Sequence, residues 1–425
     1  MLKQRQSAEI TPILDKLFSL QRLGIKVGLD HTIQLLNRCG NPHNKLKTIH
    51  IAGTNGKGST AAILQSILRA AGLKVGLYTS PHLVSFNERI RVNGSPISND
   101  FIIDFMKKFN DDINEIESTF FETTTVLSLC YFYFKKVDVA IIETGLGGRL
   151  DSTNVLNPNL SIITSIDIDH QNILGNTIEE IANEKAGIIK KNTPLITFKQ
   201  PKKILDILRN RAKTLNAKIE IVVDPQKIVV DNFSTKFVIN NKTFSIPLIG
   251  EHQAYNAALA IRSSNIFMGP LSHQMIKDGV KNTVWPGRFQ LLNNKLKIFY
   301  DVAHNSAGIN TIRSTLNSLN ALEKIGLIIL KEDKDVDQIS NSLKGLFDEL
   351  IISTVPNAQL MSIDELNKSL NRCNIICKPI DPIEKAFNYI LDKAEKGAVT
   401  IIFGSHYAAR SIYKFFEINF DNVTI

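Results

Sequence analysis

Cysteine is scarce. The 425 residues hold four, Cys39, Cys130, Cys373 and Cys377, and none stands in a C-x-x-C pair. Cys373 and Cys377 lie four positions apart, but no second pair of metal-ligating residues accompanies them. This argues against a thiolate zinc site and a disulfide framework and reads as free thiols in a reducing cytosol. Long apolar runs are also missing. No uninterrupted stretch approaches the ~20 residues that cross a bilayer. The polar segment Met1 to Ile10 carries no apolar signal region. A cytoplasmic protein with no membrane partner is expected. A dense basic block is absent too, and aromatic residues are not interleaved with basic ones. The net charge of +9, from 50 basic and 41 acidic side chains, is mostly scattered lysine. It reads as a solvated surface, and no nucleic-acid partner is expected. Repeats of fixed period and low-complexity segments are lacking.

What is present is a globular chain, 43% hydrophobic with mean hydropathy −0.02. Its length exceeds one ordinary core, so two domains are expected. Organisation starts from His50-Ile51-Ala52-Gly53-Thr54-Asn55-Gly56-Lys57-Gly58-Ser59-Thr60. An apolar run ends in a glycine-rich turn, and a helical pattern opens after it. Glycines let backbone N–H groups turn inward, and a helix N-terminus adds positive potential. Lys57 is placed to reach a β/γ-phosphate and Ser59 to offer a hydroxyl to Mg²⁺. The spacing is not the usual G-x-x-x-x-G-K-[ST]: Gly53 and Gly56 are closer together, and Gly58 separates Lys57 from Ser59.

Around this stretch the pattern alternates. Residues from Ile10 to Cys39 read as amphipathic helix broken by Gly24 and Gly28, with Leu14, Leu17, Phe18 and Leu20 at helical spacing. Thr48 to Ala52 is a strand, Ser59 to Ala71 its helix ended by Gly72, and Lys74 to Thr79 the next strand. Ser80 to Gly94 opens as a loop and closes as a short strand into an Asn93-Gly94 turn. Helices follow over Asn99 to Ile116 and Glu122 to Lys135. The buried strands Val137 to Glu143 and Leu160 to Ile166 come next, and then a helix through Lys185 opened by the capping box Thr177/Glu180. Lys227 to Pro247 alternates around Asn240-Asn241 as a β-hairpin appended to this first domain. Helices are expected over His252 to Phe267 and Ser272 to Lys281.

Trp285-Pro286-Gly287-Arg288 breaks the pattern and divides the chain into residues 1–285 and 286–425. Beyond it strands near Lys297–Tyr300, Gly326–Leu330, Glu349–Ser353, Ile375–Cys377 and Thr400–Phe403 alternate with helices, one opened by Ser362/Glu365. The fold class is α/β with two doubly wound domains. The larger N-terminal one is P-loop ATPase-like, and the smaller C-terminal one is Rossmann-like.

In open parallel sheets ligands sit beyond the carboxyl ends of the strands. Gly53, Glu143 and His170 all fall there. Glu143 suits Mg²⁺ held on a nucleotide phosphate, against the plainer reading of a strand-end acid. Asp167-Ile168-Asp169-His170 is rich in donors, and His170 reads either as a structural histidine or as a metal ligand. Two Mg²⁺ sites, at Ser59 with Glu143 and near His170, would bridge two anionic reactants. By spacing alone Lys185 is a surface lysine. In the second domain His304-Asn305 follows the strand ending Tyr300-Asp301, and Asp333-Lys334-Asp335 follows the strand ending Leu330. With both loops facing the nucleotide, the site would be an interdomain cleft, and Arg288 a cationic phosphate clamp.

These residues resemble a known family. Gly53 to Thr60 is similar to the ATP loop of the folylpolyglutamate synthase and dihydrofolate synthase group within the Mur ligase superfamily, and Gly58 points to that folate branch. The likeness extends through Ser80-Pro81-His82-Leu83, Phe86 to Ile90, Glu143 to Asp151 with Thr153-Asn154, and Asp169-His170 with Leu174-Gly175. It continues through Glu184 to Ile188, His252-Gln253 with Asn256-Ala257, Trp285 to Arg288, Asp301 with Ala303-His304-Asn305, Asp333 to Asp335, and Gly404-Ser405. The chain departs from the family pattern at Val302 (usually Gly), Ser306 (Pro), Ser152 (Ala), and Val355-Pro356-Asn357, which lacks an Arg after the Pro.

The resemblance implies roles. Gly53, Thr54, Asn55, Gly56, Lys57, Gly58, Ser59 and Thr60 would hold ATP, with Asn256 on the adenine side and Arg288 on a phosphate. Ser59 and Glu143 would hold one Mg²⁺. His170 and a carbamylated Lys185 would hold a second, which reverses the surface reading of Lys185; K⁺ is a further candidate ion. Asp301 and His304 would serve the ribose and substrate side of the second domain. Ser80, Pro81, His82, Phe86 and Arg89 would lie by the pterin, with Arg149, Asp151 and Ser405 also on the substrate side. The reaction implied is ligation of L-glutamate to dihydropteroate or to reduced folates through an acyl phosphate, by a cytoplasmic monomer. Charge neutralisation of two anions and exclusion of water, with closure of the second domain on the first, would drive it. A Mur-type amide ligase for a non-folate precursor and a non-enzymatic nucleotide switch are the rivals.

Overall fold

The computed structural model describes residues 2–24, 28–319, 321–356 and 359–418, with side chains from Glu9 on. Asn357, one of the family departures, lies outside them. The chain forms two compact units, residues 2–224 with 256–280 and residues 225–255 with 281–418.

The first unit is built on one sheet. Its strands are β1 (Thr48–Ala52), β2 (Val75–Tyr78), β3 (Ile90–Val92), β4 (Ser95–Pro96), β5 (Val139–Glu143), β6 (Leu160–Ile163), β7 (Leu195–Thr197) and β8 (Ile219–Ile221). They lie in the order β4-β3-β2-β5-β1-β6-β7-β8. Strands β2, β5, β1, β6, β7 and β8 run parallel, and β3 and β4 close one edge antiparallel. The strands β1, β5 and β6 are buried on both faces and rich in Ile, as a parallel sheet covered by helices requires.

Strand β1 pairs with β5 on one side and β6 on the other. The chain leaves β1 toward one edge of the sheet, later fills the gap with β5, then crosses β1 to β6. The direction of winding therefore reverses at β1, and the exits of β5, β1 and β6 face one crevice.

The helices follow expectation with local differences. The helix after β1 runs Lys57–Ala70, two residues earlier than the apolar pattern suggests. The segment read as one helix over 99–116 is two, Asn99–Lys108 and Asn110–Ile116, which meet at Phe109. Thr177 and Glu180 form the expected capping box on Ile178–Ala186. An apolar cluster on one side of the sheet gathers Leu35, Leu36, Tyr78, Phe86, Phe120, Leu127 and Phe132. A second cluster carries Ala52, Ile163, Ile181, Ala186 and Ile188 beneath the site.

In the second unit β9 (Gln226–Val230), β10 (Thr235–Ile239) and β11 (Lys242–Ile246) make a three-stranded antiparallel sheet turning at Asn240-Asn241, both with positive φ. The sequence pattern attached this hairpin to the first domain. It groups instead with the second, because Val230 and Ile249 pack on that unit's core. The other sheet contains β12 (Gln290–Leu291), β13 (Ile298–Asp301), β14 (Lys324–Ile328), β15 (Glu349–Ile352), β16 (Lys378–Pro379) and β17 (Val399–Phe403), ordered β12-β13-β17-β14-β15-β16. All but β12 are parallel. The strand expected over 375–377 falls at β16, just after Cys377, and the capping box Ser362/Glu365 is present.

Candidate active site

The loop after β1 turns at Gly53 (φ +152°) and Gly56 (φ +84°). Neither position has room for a side chain. A Cβ on Gly53 would lie 1.8 Å from Thr164 Oγ1, and one on Gly56 would lie 2.5 Å from Asn256 Oδ1. Gly56 caps the helix Lys57–Ala70, so the unpaired N–H groups of its first turn open directly onto the loop. The exit of β6 braces the loop from below. Thr164 and Ser165 hydroxyls donate to the Asn55 carbonyl at 2.7 and 3.2 Å, and the Thr54 N–H donates to the Ser165 carbonyl at 2.6 Å. The Thr54 hydroxyl donates to the Asp167 carbonyl and accepts from the Asp167 N–H, both at 3.0 Å. Lys57 Nζ curls back to the carbonyls of Gly53 and Thr54, each 3.1 Å away. Ser59 and Thr60 are buried under the helix start, and the Thr60 hydroxyl lies 3.4 Å from Asn256 Oδ1.

Lys185 is no surface lysine: it is 4% exposed and donates to the Gly53 carbonyl at 2.9 Å. Burial lowers its pKa to about 7, Lys57 pushes the same way, and Asp169, Asp151 and Asp167 oppose. The loop after β5 holds this lysine's helix. A Cβ on Gly148 would sit 2.9 Å from the Glu184 carbonyl oxygen, and one on Gly187 would sit 2.4 Å from the Arg149 Cα, so loop and helix touch backbone to backbone. The Arg149 N–H donates to the Glu184 carbonyl at 2.8 Å, and its guanidinium grips the Glu184 carboxylate at 2.9 and 3.1 Å.

Asp151 is buried beside this contact. It accepts from the N–H groups of Leu146 (2.8 Å) and Thr153 (3.0 Å) and from the Thr153 hydroxyl. With that hydroxyl donating to Asp151, His50 Nε2, 2.8 Å from Thr153 Oγ1, carries the proton and donates in turn. Burial raises the Asp151 pKa. Glu143, buried at the end of β5, accepts from the Ser80 N–H at 3.3 Å, which joins the β5 exit to the loop after β2. His170 lies past β6 in a left-handed turn (φ +51°), its side chain 43% exposed and its N–H bonded to Asp169 Oδ1 at 2.9 Å.

The loop after β2 is organised by Glu88, whose carboxylate accepts from the N–H groups of Leu83 (3.0 Å), Val84 (2.8 Å) and Ser85. Arg89 Nε donates to His82 Nδ1 at 2.9 Å, and the guanidinium lies 5.1 Å from the centre of the Phe120 ring. Phe18 stacks on Phe120 at 5.5 Å, and Phe86 meets both edge-on. The product is an apolar, aromatic wall with one guanidinium and one imidazole on it. Ser152, where the family has Ala, pairs its hydroxyl with Thr125 at 3.0 Å.

In the second unit Asp301 ends β13. It accepts from the Phe289 N–H at 2.8 Å and the Ala303 N–H at 2.7 Å. Burial raises its pKa, and Arg288 pulls it back down. His304 Nδ1 lies 2.9 Å from the Val302 carbonyl. Ser405, just past the adjacent β17, accepts from the Tyr407 N–H at 3.1 Å. Ser306, where the family has Pro, donates to the Gln338 carbonyl at 2.8 Å. Asn305 and Asp335 cap the helices that follow β13 and β14.

The structure thus gathers Gly53 to Thr60, Glu143, Arg149, Asp151, Lys185 and Asn256 in the first unit, and Arg288, Asp301 and His304 in the second. Sequence reasoning missed Thr164 and Ser165, which shape the loop, and Phe18 and Phe120. Adjacent hydroxyls at the exit of a buried strand were the available signal for the first pair.

A family model described as the Mur ligase middle domain matches residues 51–263, and one described as the Mur ligase glutamate ligase domain matches 287–406. The chain belongs to the Mur ligase family. Within it, the chain is 39% identical over 326 residues to a dihydrofolate synthase/folylpolyglutamate synthase of Bacillus subtilis, covering 72% of this chain and 76% of that protein. The Escherichia coli dihydrofolate synthase/folylpolyglutamate synthase is 29% identical over 422 residues, covering 97% of each. Among solved structures, Mycobacterium tuberculosis folylpolyglutamate synthase complexed with ADP and AMPPCP superposes with TM-score 0.88 at 28% identity, covering 97% of this chain and 99% of that one. Escherichia coli FolC in complex with DHPP and ADP gives 0.85 at 28%, covering 95% and 97%. The family and fold establish this chain as an ATP-dependent ligase that forms amide bonds. No described helix is long and apolar enough to cross a membrane.

Proposed function

We propose that this enzyme joins L-glutamate to dihydropteroate, to the glutamate tail of reduced folates, or to both, releasing ADP and phosphate through an acyl phosphate. The observation that carries the reading is the glycine loop at Gly53 to Thr60, built between the exits of β5 and β6 with the buried Lys185 against its carbonyl. A second support is the aromatic wall around Phe120 with Arg89 and His82, which suits a flat pterin bearing hydrogen-bonding edges.

In this reading the loop N–H groups and Lys57 receive the ATP phosphates, and Asn256, Arg288, Asp301 and His304 serve the adenine, phosphate, ribose and substrate sides. Ser80, Pro81, His82, Phe86, Arg89, Arg149, Asp151 and Ser405 serve the substrates. The pteroate or folate carboxylate attacks the γ-phosphorus of ATP and displaces ADP. The amine of glutamate then attacks the acyl carbon, loses a proton, and phosphate leaves. Lys57 and Arg288 lower the cost of bringing anions together. No protein nucleophile takes part.

The donor set fits Mg²⁺. Ser59 and Glu143 are buried oxygens beside the loop, and Mg²⁺ needs few protein ligands when phosphates and water complete its shell. Among the described residues no group of three His, Cys, Asp or Glu could hold a metal unaided. A second ion, Mg²⁺ with K⁺ as a further candidate, would rest on His170 and on Lys185 as its carbamate. A lysine with a pKa near 7 has the neutral amine that carbamylation by CO₂ requires. Bound Mg²⁺ would neutralise phosphate charge. A domain boundary near residue 285, a monomeric state and a cytoplasmic location belong to the same reading. The break between the two family matches, from 263 to 287, supports the first of these.

The test is ADP release with dihydropteroate and with tetrahydrofolate, each with and without L-glutamate, in wild type and Lys57→Ala. Glutamate-dependent turnover with at least one pterin is expected, and none in the folded variant. Normal turnover in Lys57→Ala would sink the assignment. Turnover with UDP-sugar peptides but no pterin would favour the non-folate ligase.

A further inference from the structure

His50 stands in the middle of β1, a few residues before Gly53, with no solvent exposure. Its strand neighbours are Ile142 of β5 and Ser161 of β6. Burial holds the ring neutral, so one nitrogen carries a proton and the other does not. Nε2 lies 2.8 Å from Thr153 Oγ1. The Thr153 hydroxyl gives its own proton to Asp151 Oδ1, and the Thr153 N–H donates to the same oxygen at 3.0 Å. Nε2 is therefore the donor to Thr153. Nδ1 is buried with no hydrogen-bond partner among the described residues, a cost that a side chain serving packing alone would not carry. The polar role of the ring is thus one N–H, aimed at Thr153. The far side of the same turn is fixed separately. Asn154 Nδ2 donates to the carbonyls of Arg149 at 2.9 Å and Gly187 at 3.2 Å, and Lys190 Nζ donates to the Asn154 carbonyl at 2.9 Å.

We propose that His50 is a positioning residue: through Thr153 it ties the turn from Arg149 to Val155, and the Asp151 carboxylate in it, to the strand that carries the phosphate loop. The inference rests on Asp151 serving the substrate side, as in the reading above, and goes beyond it. Without the His50 N–H, a buried lone pair of Thr153 is left unsatisfied, and the turn shifts to relieve it. The nucleotide side is spared, because the phosphate loop takes its shape from other contacts, those of Thr164 and Ser165 with Asn55. The tether thus sets where the substrate carboxyl arrives relative to a nucleotide site that is already fixed.

The experiment compares wild type with His50→Leu, His50→Gln, Thr153→Val and the double variant His50→Leu/Thr153→Val. ADP release gives KM for ATP and for dihydropteroate or tetrahydrofolate, and amide hydrogen exchange is followed in the segment 145–155 of the protein without substrates. Expected in His50→Leu and Thr153→Val are a pterin KM about tenfold higher, a KM for ATP as in wild type, and faster exchange in the segment. The double variant should be no worse than either single one, since both cut one tether. Glutamine places an amide N–H where Nε2 stands, so His50→Gln should recover most of the pterin KM and the slow exchange. Where His50→Leu does not fold, Thr153→Val cuts the tether from its other end and is read against wild type. Equal rises in both KM values, a His50→Gln no better than His50→Leu, or additive effects in the double variant would overturn the proposal and leave His50 a packing residue. Unchanged exchange in His50→Leu and Thr153→Val would overturn it as well. The exchange arm needs no turnover, so it judges the tether even if wild type proves inactive on pterins, which would count against the ligase reading alone.

Discussion

Lys185 Nζ lies 2.9 Å from the carbonyl oxygen of Gly53, and through that contact a helix carried by the β6 side of the sheet touches the loop of β1. The fold places a buried lysine, its pKa lowered to about 7 by burial, where the backbone turns to receive phosphates. An ammonium there satisfies the carbonyl; a carbamate would instead present an anion.

Removing Lys185 tests which of these matters. The proposed carbamate predicts that Lys185→Ala loses most activity, on the order of 100-fold, and that short carboxylates restore part of it. Wild type stripped of CO₂ should lose activity and recover it with bicarbonate. Because only the neutral amine captures CO₂, recovery should weaken as pH falls below about 7. Full activity of Lys185→Ala without any carboxylate would remove this residue from the mechanism.

Gly53→Ala addresses the loop. The added methyl would meet Thr164 Oγ1 at 1.8 Å with φ at +152°, so the turn must move. The expected result is a loss of on the order of 100-fold in kcat/KM for ATP, with circular dichroism close to wild type. An unaltered KM for ATP would show that the loop tolerates displacement and does not grip the nucleotide.

His50 sets an acid limit on stability. Burial, helped by Lys190, lowers its pKa from 6.5 to about 3, so it is neutral in the folded chain. The unfolded chain binds the proton first as pH drops. The stability this group contributes is intact above pH 6.5 and drains away between there and about pH 3, at up to ~1.4 kcal/mol per pH unit. His50→Leu should be less stable near pH 7, having lost the donor to Thr153, yet lose less stability between pH 6.5 and 4. Urea midpoints followed across that range decide the matter; parallel curves for the two proteins would refute the linkage.

The sequence was most readable where burial is two-sided. Strands β1, β5 and β6 are buried on both faces and rich in Ile, so the loops at their ends stand out in the sequence. Strands β7 and β8 escaped notice because each is three residues long, and β8 is only partly buried. Lys185 looked like a surface residue because helical spacing says nothing about what will lie against it. Its burial follows from Gly148 and Gly187 allowing two backbones to touch, a long-range event. Asn240-Asn241 marks the hairpin in the sequence, but its domain is decided by the packing of Val230 and Ile249, which proximity in the chain does not reveal. In the second unit, the resemblance singled out Asp301, but its two backbone donors come from twelve residues before it and two after, and only folding brings them together.

Thr164 and Ser165 never need to meet the nucleotide, yet they hold the Asn55 carbonyl and leave Gly53 no freedom to carry a side chain. The cradle therefore stands preorganised, its ordering entropy already spent during folding rather than at each encounter. Selection on nucleotide affinity then acts partly on the exit of β6, and replacing Thr164 should weaken ATP by loosening a receptor rather than by deleting a contact.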